Sequence, residues 1–300
     1  MASELTAHGF KLFYYDNRSK GEVDYLIDDY DSLCTVPIEV KSGKDYTVHL
    51  SLIHICIGYE ICKVMLRDGY KVYGLARSEG SLTDVCWKPC DVTDSASVLR
   101  VFEEILKERG RIDVLVCNAG IGISGAAEFA PEHDYQMQTD VNFNGAVRCA
   151  QAAVPAMRRA GRGKIVFISS LAAVFPLPFQ GFYSATKAAL NAFSDSLGIE
   201  LKPFGIETSA VMLNDVKTDF TENRRKTAKG DDIYGGRIEA SVSKMEKSEQ
   251  SGMTPQQVAE TVAKILKRKH LPPHKIVGLS NEFLGLLFRI LPTGILVRCV

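Results

Sequence analysis

The chain is predicted to be an α/β protein with a doubly wound parallel sheet, preceded by a foreign β-rich segment. Three observations carry this. From residue 57 onward, short apolar runs alternate with segments of helical period. The runs in IDVLVC, GKIVFISS and IETSAVML place apolar residues at successive positions, as strands covered on both faces do. The segments between them are long enough to be crossover helices, and several end in Gly or Pro/Gly turns.

The elements follow in order. Residues 1–50 are aromatic and acidic (FKLFYYDNRSKGEVDYLIDDYDSL, then VPIEVKSGKDYTVHL) and read as hairpin strands, not as the entry to a βαβ unit. Residues 57–69 form a helix stopped by Gly69, and 70–76 a strand. Residues 95–110 form an amphipathic helix, capped by Asp94 or Ser95 and closed by Gly110. A strand at 112–117 runs into a turn. One long helix is expected over 135–161, then a strand at 163–170, a helix over 182–205 and a strand at 206–213. Residues 219–252 are polar and charged, and read either as a loop-plus-helix lid over a substrate or as a solvated surface segment. The tail FLGLLFRILPTGILV contains Arg289 and Pro292; it is too short and broken for a membrane span and reads as a packed or interfacial helix. Two domains follow: 1–50 and 51–300.

Composition narrows the function. Lys+Arg and Asp+Glu are both 36, and this balance argues against a nucleic-acid partner. The 8 cysteines form no CxxC pair, so buried reduced thiols are expected, with no disulfide framework and no metal site. The N-terminus lacks an apolar leader, so a cytoplasmic protein is expected.

The chemistry lies in YSATK. Tyr183 and Lys187 stand one helical turn apart, on one face. A phenol ionises near pH 10; bringing it to neutral pH takes roughly 4 kcal/mol, which a close cation in a dry site supplies. Ser170 ends the strand GKIVFISS, where it can reach a carbonyl beside Tyr183. Asn118, Ala119 and Gly120 end the strand before it, and Asn142 lies between, in DVNFNG. In this order and spacing the set resembles the short-chain dehydrogenase/reductase family from about residue 57 to the end. The resemblance implies a Rossmann-like fold and hydride transfer between a nicotinamide cofactor and a ketone or secondary alcohol. It makes Tyr183 the general acid, Lys187 its modulator and the holder of the nicotinamide ribose, Ser170 a donor to the substrate oxygen, and Asn142 the anchor of a water relay. It places Ile57, Gly58, Asp91, Val92, Asn118, Ala119, Gly120, Val216 and Thr218 along the cofactor. A homodimer through the long helices is also implied.

The strand at 70–76 is followed by Arg77 and Ser78, where NAD binders carry an acidic residue. A cation there suits a 2′-phosphate, so NADP is the expected cofactor; the alternative is an arginine turned to solvent. Phe175, Pro176, Leu177, Pro178 and Phe179 beside the site suggest a hydrophobic carbonyl or alcohol: steroid-, retinoid- or lipid-like. The apolar tail allows contact with a membrane surface.

Two departures from the family stand out. Leu213-Asn214 replaces the usual Pro-Gly before Val216 and Thr218. More seriously, SLIHICIG occupies the place of the glycine-rich phosphate loop, and only Gly58 survives. β-Branched residues disfavour the positive φ of such a turn, and bulky side chains would meet the phosphates. Residues 10–45 resemble the C-terminal restriction-endonuclease-like domain of bacterial AAA-type ATPases, with Asp24, Glu39 and Lys41 at the spacing of a Mg²⁺ nuclease core. LSLIHI is what CTG TCT CTT ATA CAC ATC encodes, a stretch that resembles a transposon-end adapter. A chimeric joint near residues 50–56 is therefore expected. The rival readings are a pseudoenzyme unable to bind cofactor and a metal-dependent nuclease-like module in residues 1–50.

Overall fold

The computed structural model describes residues 12–17, 21–29, 34–38, 55–77, 80–218, 220–221 and 224–278. The chain divides into two compact units, Met1–Leu50 and Ser51–Val300. In the first, β1 (Leu12–Asn17), β2 (Gly21–Asp29) and β3 (Cys34–Ile38) form an antiparallel sheet in the order β1-β2-β3. Asp24 lies on β2, while Glu39 and Lys41 fall outside the described residues.

The second unit alternates helix and strand. Helix α1 (Ile55–Arg67) leads to β4 (Tyr73–Ala76) and β5 (Cys86–Pro89). Helix α2 (Ser95–Arg109), β6 (Val114–Cys117), the short β7 (Ile123–Ser124) and α3 (Glu132–Thr139) follow. Then come α4 (Gly145–Ala160), β8 (Gly163–Ser170), α5 (Gly181–Leu201) and β9 (Ile206–Leu213). The chain continues through β10 (Arg225–Lys226), α6 (Arg237–Gln250), α7 (Pro255–Leu266) and β11 (His274–Ile276).

Strands β6, β8, β9 and β11 pair in parallel in the order β11-β9-β8-β6, and β4 pairs with β5, also in parallel. Side chains alternate across a strand, and β8 shows what that does here. Val166 and Ile168 face a core with Ile57, Ile61, Val64 and Met65 of α1 and Val258, Val262 and Ile265 of α7. Ile165 and Phe167 face the other core, with Val98, Val101 and Phe102 of α2 and Ala150, Ala153 and Met157 of α4. The sheet is thus wound on both sides, as the apolar strands predict. Truncating a fully buried residue such as Phe167 costs about 3–5 kcal/mol.

Local signals hold where they were read. Asp94 accepts from Ala96 N at 2.8 Å and so caps α2, which ends at Gly110 with φ 73°. Five cysteines among the described residues are free, and burial pushes Cys62 up to about 11 and Cys149 to about 12. Cys62 and Cys149 are therefore neutral thiols.

The helix expected over 135–161 runs without a break from Glu132 to Ala160, as α3, a π turn at Asp140–Asn144, and α4. Asn142 lies in that turn, fully buried, and bonds outside its own helix. The polar segment after β9 is anchored to the rest of the unit at several points and leaves much of its length exposed, Ile233 among it. Here β10 pairs with β7, Tyr234 donates to Glu128 at 2.8 Å, Asp231 accepts from Ile238 N at 2.8 Å, and Ile238 is 2% exposed. Phe179 adopts φ 59°, the left-handed region that bulky residues avoid, with its ring edge-on to Tyr234 at 5.5 Å.

Candidate active site

The site forms where the parallel strands end. Ser170 is the last residue of β8; its Oγ accepts from Ala172 N at 3.1 Å and so caps the short 3₁₀ turn Leu171–Ala173. Tyr183 lies in the first turn of α5 and Lys187 one turn on, so their side chains share a face. Lys187 is 3% exposed, and its ammonium donates to Ile168 O at 2.9 Å. Nζ stands 5.8 Å from the centre of the Tyr183 ring. Burial lowers the Lys187 pKa to about 8.

Tyr183 is half-buried and tilts 49° against Phe220 at 6.1 Å. Burial raises its pKa to about 12, the hydrogen bond with Ser170 and the Arg224 charge pull it down, and Glu249 pushes it up. Two cations thus stand near this phenol: Arg224, and Lys187, whose ammonium also donates to a backbone carbonyl. A neutral phenol beside Ser170 is a proton donor waiting for an oxygen anion.

Asn142 ties the site together. Its Oδ1 accepts from Ile121 N at 2.6 Å, and its Nδ2 donates to Ile121 O at 3.0 Å and to Thr186 Oγ1 at 3.2 Å. Thr186 Oγ1 donates to Tyr183 O at 2.8 Å. The turn after β6 is thereby fixed to the Tyr183 helix by buried bonds. Asn142 does not touch Lys187 in any of these contacts.

The cofactor candidates follow the carboxyl ends of the strands, where doubly wound sheets bind ligands. Arg77 follows β4 and is exposed, while Ser78 falls outside the described residues. Asp91 and Val92 follow β5; Asp91 Oδ1 accepts from Thr93 N and Thr93 Oγ1 at 2.9 and 2.7 Å. Asn118, Ala119 and Gly120 follow β6. Val216 is buried beyond β9 and bridges to Met253, and Thr218 Oγ1 accepts from Phe220 N at 3.2 Å. Ile57 points into the core, so only its backbone can meet a ligand. Gly58 lies on the first turn of α1, where a Cβ would stand 3.0 Å from Asn118 Nδ2. This close approach is what the last glycine of a phosphate loop permits. The rest of that stretch, residues 51–54, lies outside the described residues.

Sequence reasoning missed Thr186, Phe220, Arg224 and Glu249. Thr186 sits inside YSATK and was passed over as a spacer; the other three lie in the polar segment, where no spacing marks them.

The model for the short chain dehydrogenases matches residues 55–229. A 3-ketodihydrosphingosine reductase from Bacteroides thetaiotaomicron is 40% identical over 220 residues, covering 72% of this chain and 81% of that protein. Human 17-beta-hydroxysteroid dehydrogenase type 1 is 41% identical over 132 residues, covering 44% of this chain and 40% of that enzyme. Among solved structures, ElxO with NADP bound superposes with a TM-score of 0.62 at 25% identity, covering 74% of this chain and 92% of that one. Tyrosine, lysine and serine meet at the strand ends inside the matched stretch, and the chain belongs to the short-chain dehydrogenase/reductase family.

Proposed function

We propose that this oxidoreductase transfers hydride between NADP(H) and a hydrophobic ketone or secondary alcohol of steroid, retinoid or lipid type. The observation that carries it is Tyr183, half-buried, with the Lys187 ammonium 5.8 Å from its ring and Ser170 at the carboxyl end of β8 among the groups acting on it. Tyr183 Oη donates its proton to the carbonyl oxygen during reduction and takes it back during oxidation. Ser170 Oγ shares that oxygen and orients it. Lys187 would hold the ribose hydroxyls, and Asn142 would anchor a water chain that refills the proton. Arg77 and Ser78 would grip a 2′-phosphate; Gly58, Asp91, Val92, the Asn118–Gly120 turn, Val216 and Thr218 would line the rest of the dinucleotide. When bound, the nicotinamide supplies the hydride.

The exposed cation of Arg77 supports NADP, as does the NADP in ElxO and in a serine dehydrogenase whose structure superposes with a TM-score of 0.63. The ketosphingoid and steroid names of the relatives support an apolar substrate. We place the enzyme in the cytoplasm as a homodimer. No described helix is long and apolar enough to cross a membrane, and the tail that would touch a membrane surface lies outside the described residues.

The test is an NADPH titration by calorimetry beside a control carrying TGASSGIG at residues 51–58. Micromolar binding by both chains supports the reading. Binding by the control alone assigns the chemistry to the parent enzyme and makes this chain a binding-defective copy. We also infer that residues 1–50 are a nuclease-domain fragment joined near 50–56, because the family match begins at residue 55 and the chain divides at Leu50. An uninterrupted product amplified from source DNA across codons 40 to 65 would refute that joint. Mg²⁺-dependent DNA cleavage would instead give residues 1–50 a function of their own.

A further inference from the structure

Arg224 is 4% exposed, and neither the cofactor nor the Tyr183–Lys187 pair explains it. Its Nη1 donates to Glu249 Oε2 at 3.2 Å and its Nη2 to Glu249 Oε1 at 2.5 Å, a two-pronged pair. Thr221 Oγ1 donates to the same Oε2 at 2.6 Å. Glu249 comes from the end of α6, whereas Arg224 precedes β10. The guanidinium stacks 5.1 Å from the centre of the Phe220 ring, and Phe220 faces Tyr183 at 6.1 Å. Gly122 closes the far wall: a Cβ there would stand 2.6 Å from Phe220 Cζ and 3.3 Å from Arg224 Nε. A buried ion pair is costly to desolvate and is often no more stable than apolar residues of the same volume. Its place against the Phe220–Tyr183 stack therefore asks for a role other than stability.

We propose that Arg224, fixed by Glu249 and stacked on Phe220, is a positioning residue of the reaction, joining α6 to the wall of Tyr183 and setting the electrostatic field in which its hydroxyl exchanges a proton. The proposal rests on reading Tyr183 as the proton donor. Among the described residues, the polar and charged groups that face this phenol are Ser170 at the end of β8, Lys187 on α5, and the Arg224–Glu249 pair. The two members of the pair act on it with opposite sign: Arg224 favours the phenolate and Glu249 the phenol. Substituting either member therefore gives opposite effects on the phenol, whereas a merely structural pair would give the same loss twice.

The test compares the full chain with R224M, R224K and E249Q. Two readouts are taken: the pH profile of kcat/KM for alcohol oxidation with NADP⁺, and the tyrosinate absorbance that disappears when Tyr183→Phe is added to each chain. R224M is expected to move the Tyr183 limb to higher pH and E249Q to lower pH, each by about three- to tenfold in proton affinity. R224K, which keeps the charge, should stay nearer the parent limb while raising KM. Limbs that do not move, or that move the same way in R224M and E249Q, would overturn the proposal even if thermal stability falls. If R224M does not fold, E249Q and R224K still give the sign. If no chain turns over any carbonyl, the absorbance titration still decides the coupling, and only the dehydrogenase reading fails.

Discussion

Replacing Lys187 with methionine isolates the cost of burying an ammonium beneath the site. Burial takes its pKa from 10.5 to about 8, so the folded chain gives up this proton at lower pH than the unfolded chain does. Between those values the unfolded chain binds more protons, so stability rises with pH there; below about 8 the full cost of the buried charge is present. The drop from 10.5 to about 8, at about 1.4 kcal/mol per tenfold change in proton affinity, amounts to roughly 3 kcal/mol. Lys187→Met lacks this pH-dependent part and loses the bond to Ile168 O at every pH alike. The stability of Lys187→Met relative to wild type should therefore fall by roughly 3 kcal/mol between pH 7.5 and 10.5. Urea unfolding followed by fluorescence reads this directly, because the single tryptophan, Trp87, lies on β5 of the same unit. Tyr183, whose pKa is raised, costs both proteins stability above pH 10 and drops out of the difference. Parallel curves for the two proteins from pH 7.5 to 10.5 would refute the reasoning.

Asn142→Leu keeps the volume but strands the N–H and C=O of Ile121 in the interior; a loss of about 2–5 kcal/mol by denaturant titration is expected, with Thr186→Val losing only about 1. Arg77→Glu should weaken NADPH by about tenfold or more and leave NADH within about threefold, as isothermal titration would show. Tyr183→Phe should abolish turnover while cofactor affinity, measured by fluorescence quenching, changes little. Thr254→Ala removes a capping box in which Gln257 N donates to Thr254 Oγ1 and Thr254 N to Gln257 Oε1; about 1 kcal/mol of thermal stability should go with it.

What was legible in the sequence is what local physics dictates. β8 and β9 announce themselves because strands covered on both faces stay apolar at successive positions, and they are among the best-buried segments. The cap at Asp94 and the stop at Gly110 are short-range hydrogen-bond and φ requirements, and both stand where expected. Tyr183 and Lys187 were visible because one turn of helix is enough to align them. The π turn was not, because nothing in the spacing marks it, and its Asn142 is tied to Ile121, a residue distant in the chain. Arg224 and Glu249 were hidden for the same reason: each reads as one more charge in a polar stretch until folding removes both from water. The charges that this pair brings near Tyr183 were hidden with them. One turn of helix fixes that Lys187 and Tyr183 are neighbours, but the nearest acceptor, Ile168 O, fixes where the ammonium goes.

The first helix of the second unit rests on one of its last. The face of α1 formed by Ile57, Ile61, Val64 and Met65 is covered by Val258, Val262 and Ile265 of α7, and Arg67 is gripped by Glu260 at 2.5 and 3.0 Å. During synthesis this face leaves the ribosome early and waits for almost the whole unit before its partner emerges. At about 5–20 residues per second the delay is on the order of ten seconds or more, far longer than helix formation or collapse. Through that interval an apolar stripe lies open to chaperones, to proteases and to other nascent chains. A truncation ending before residue 255 should consequently partition into aggregates, although every residue of the Tyr183 site would already have been made.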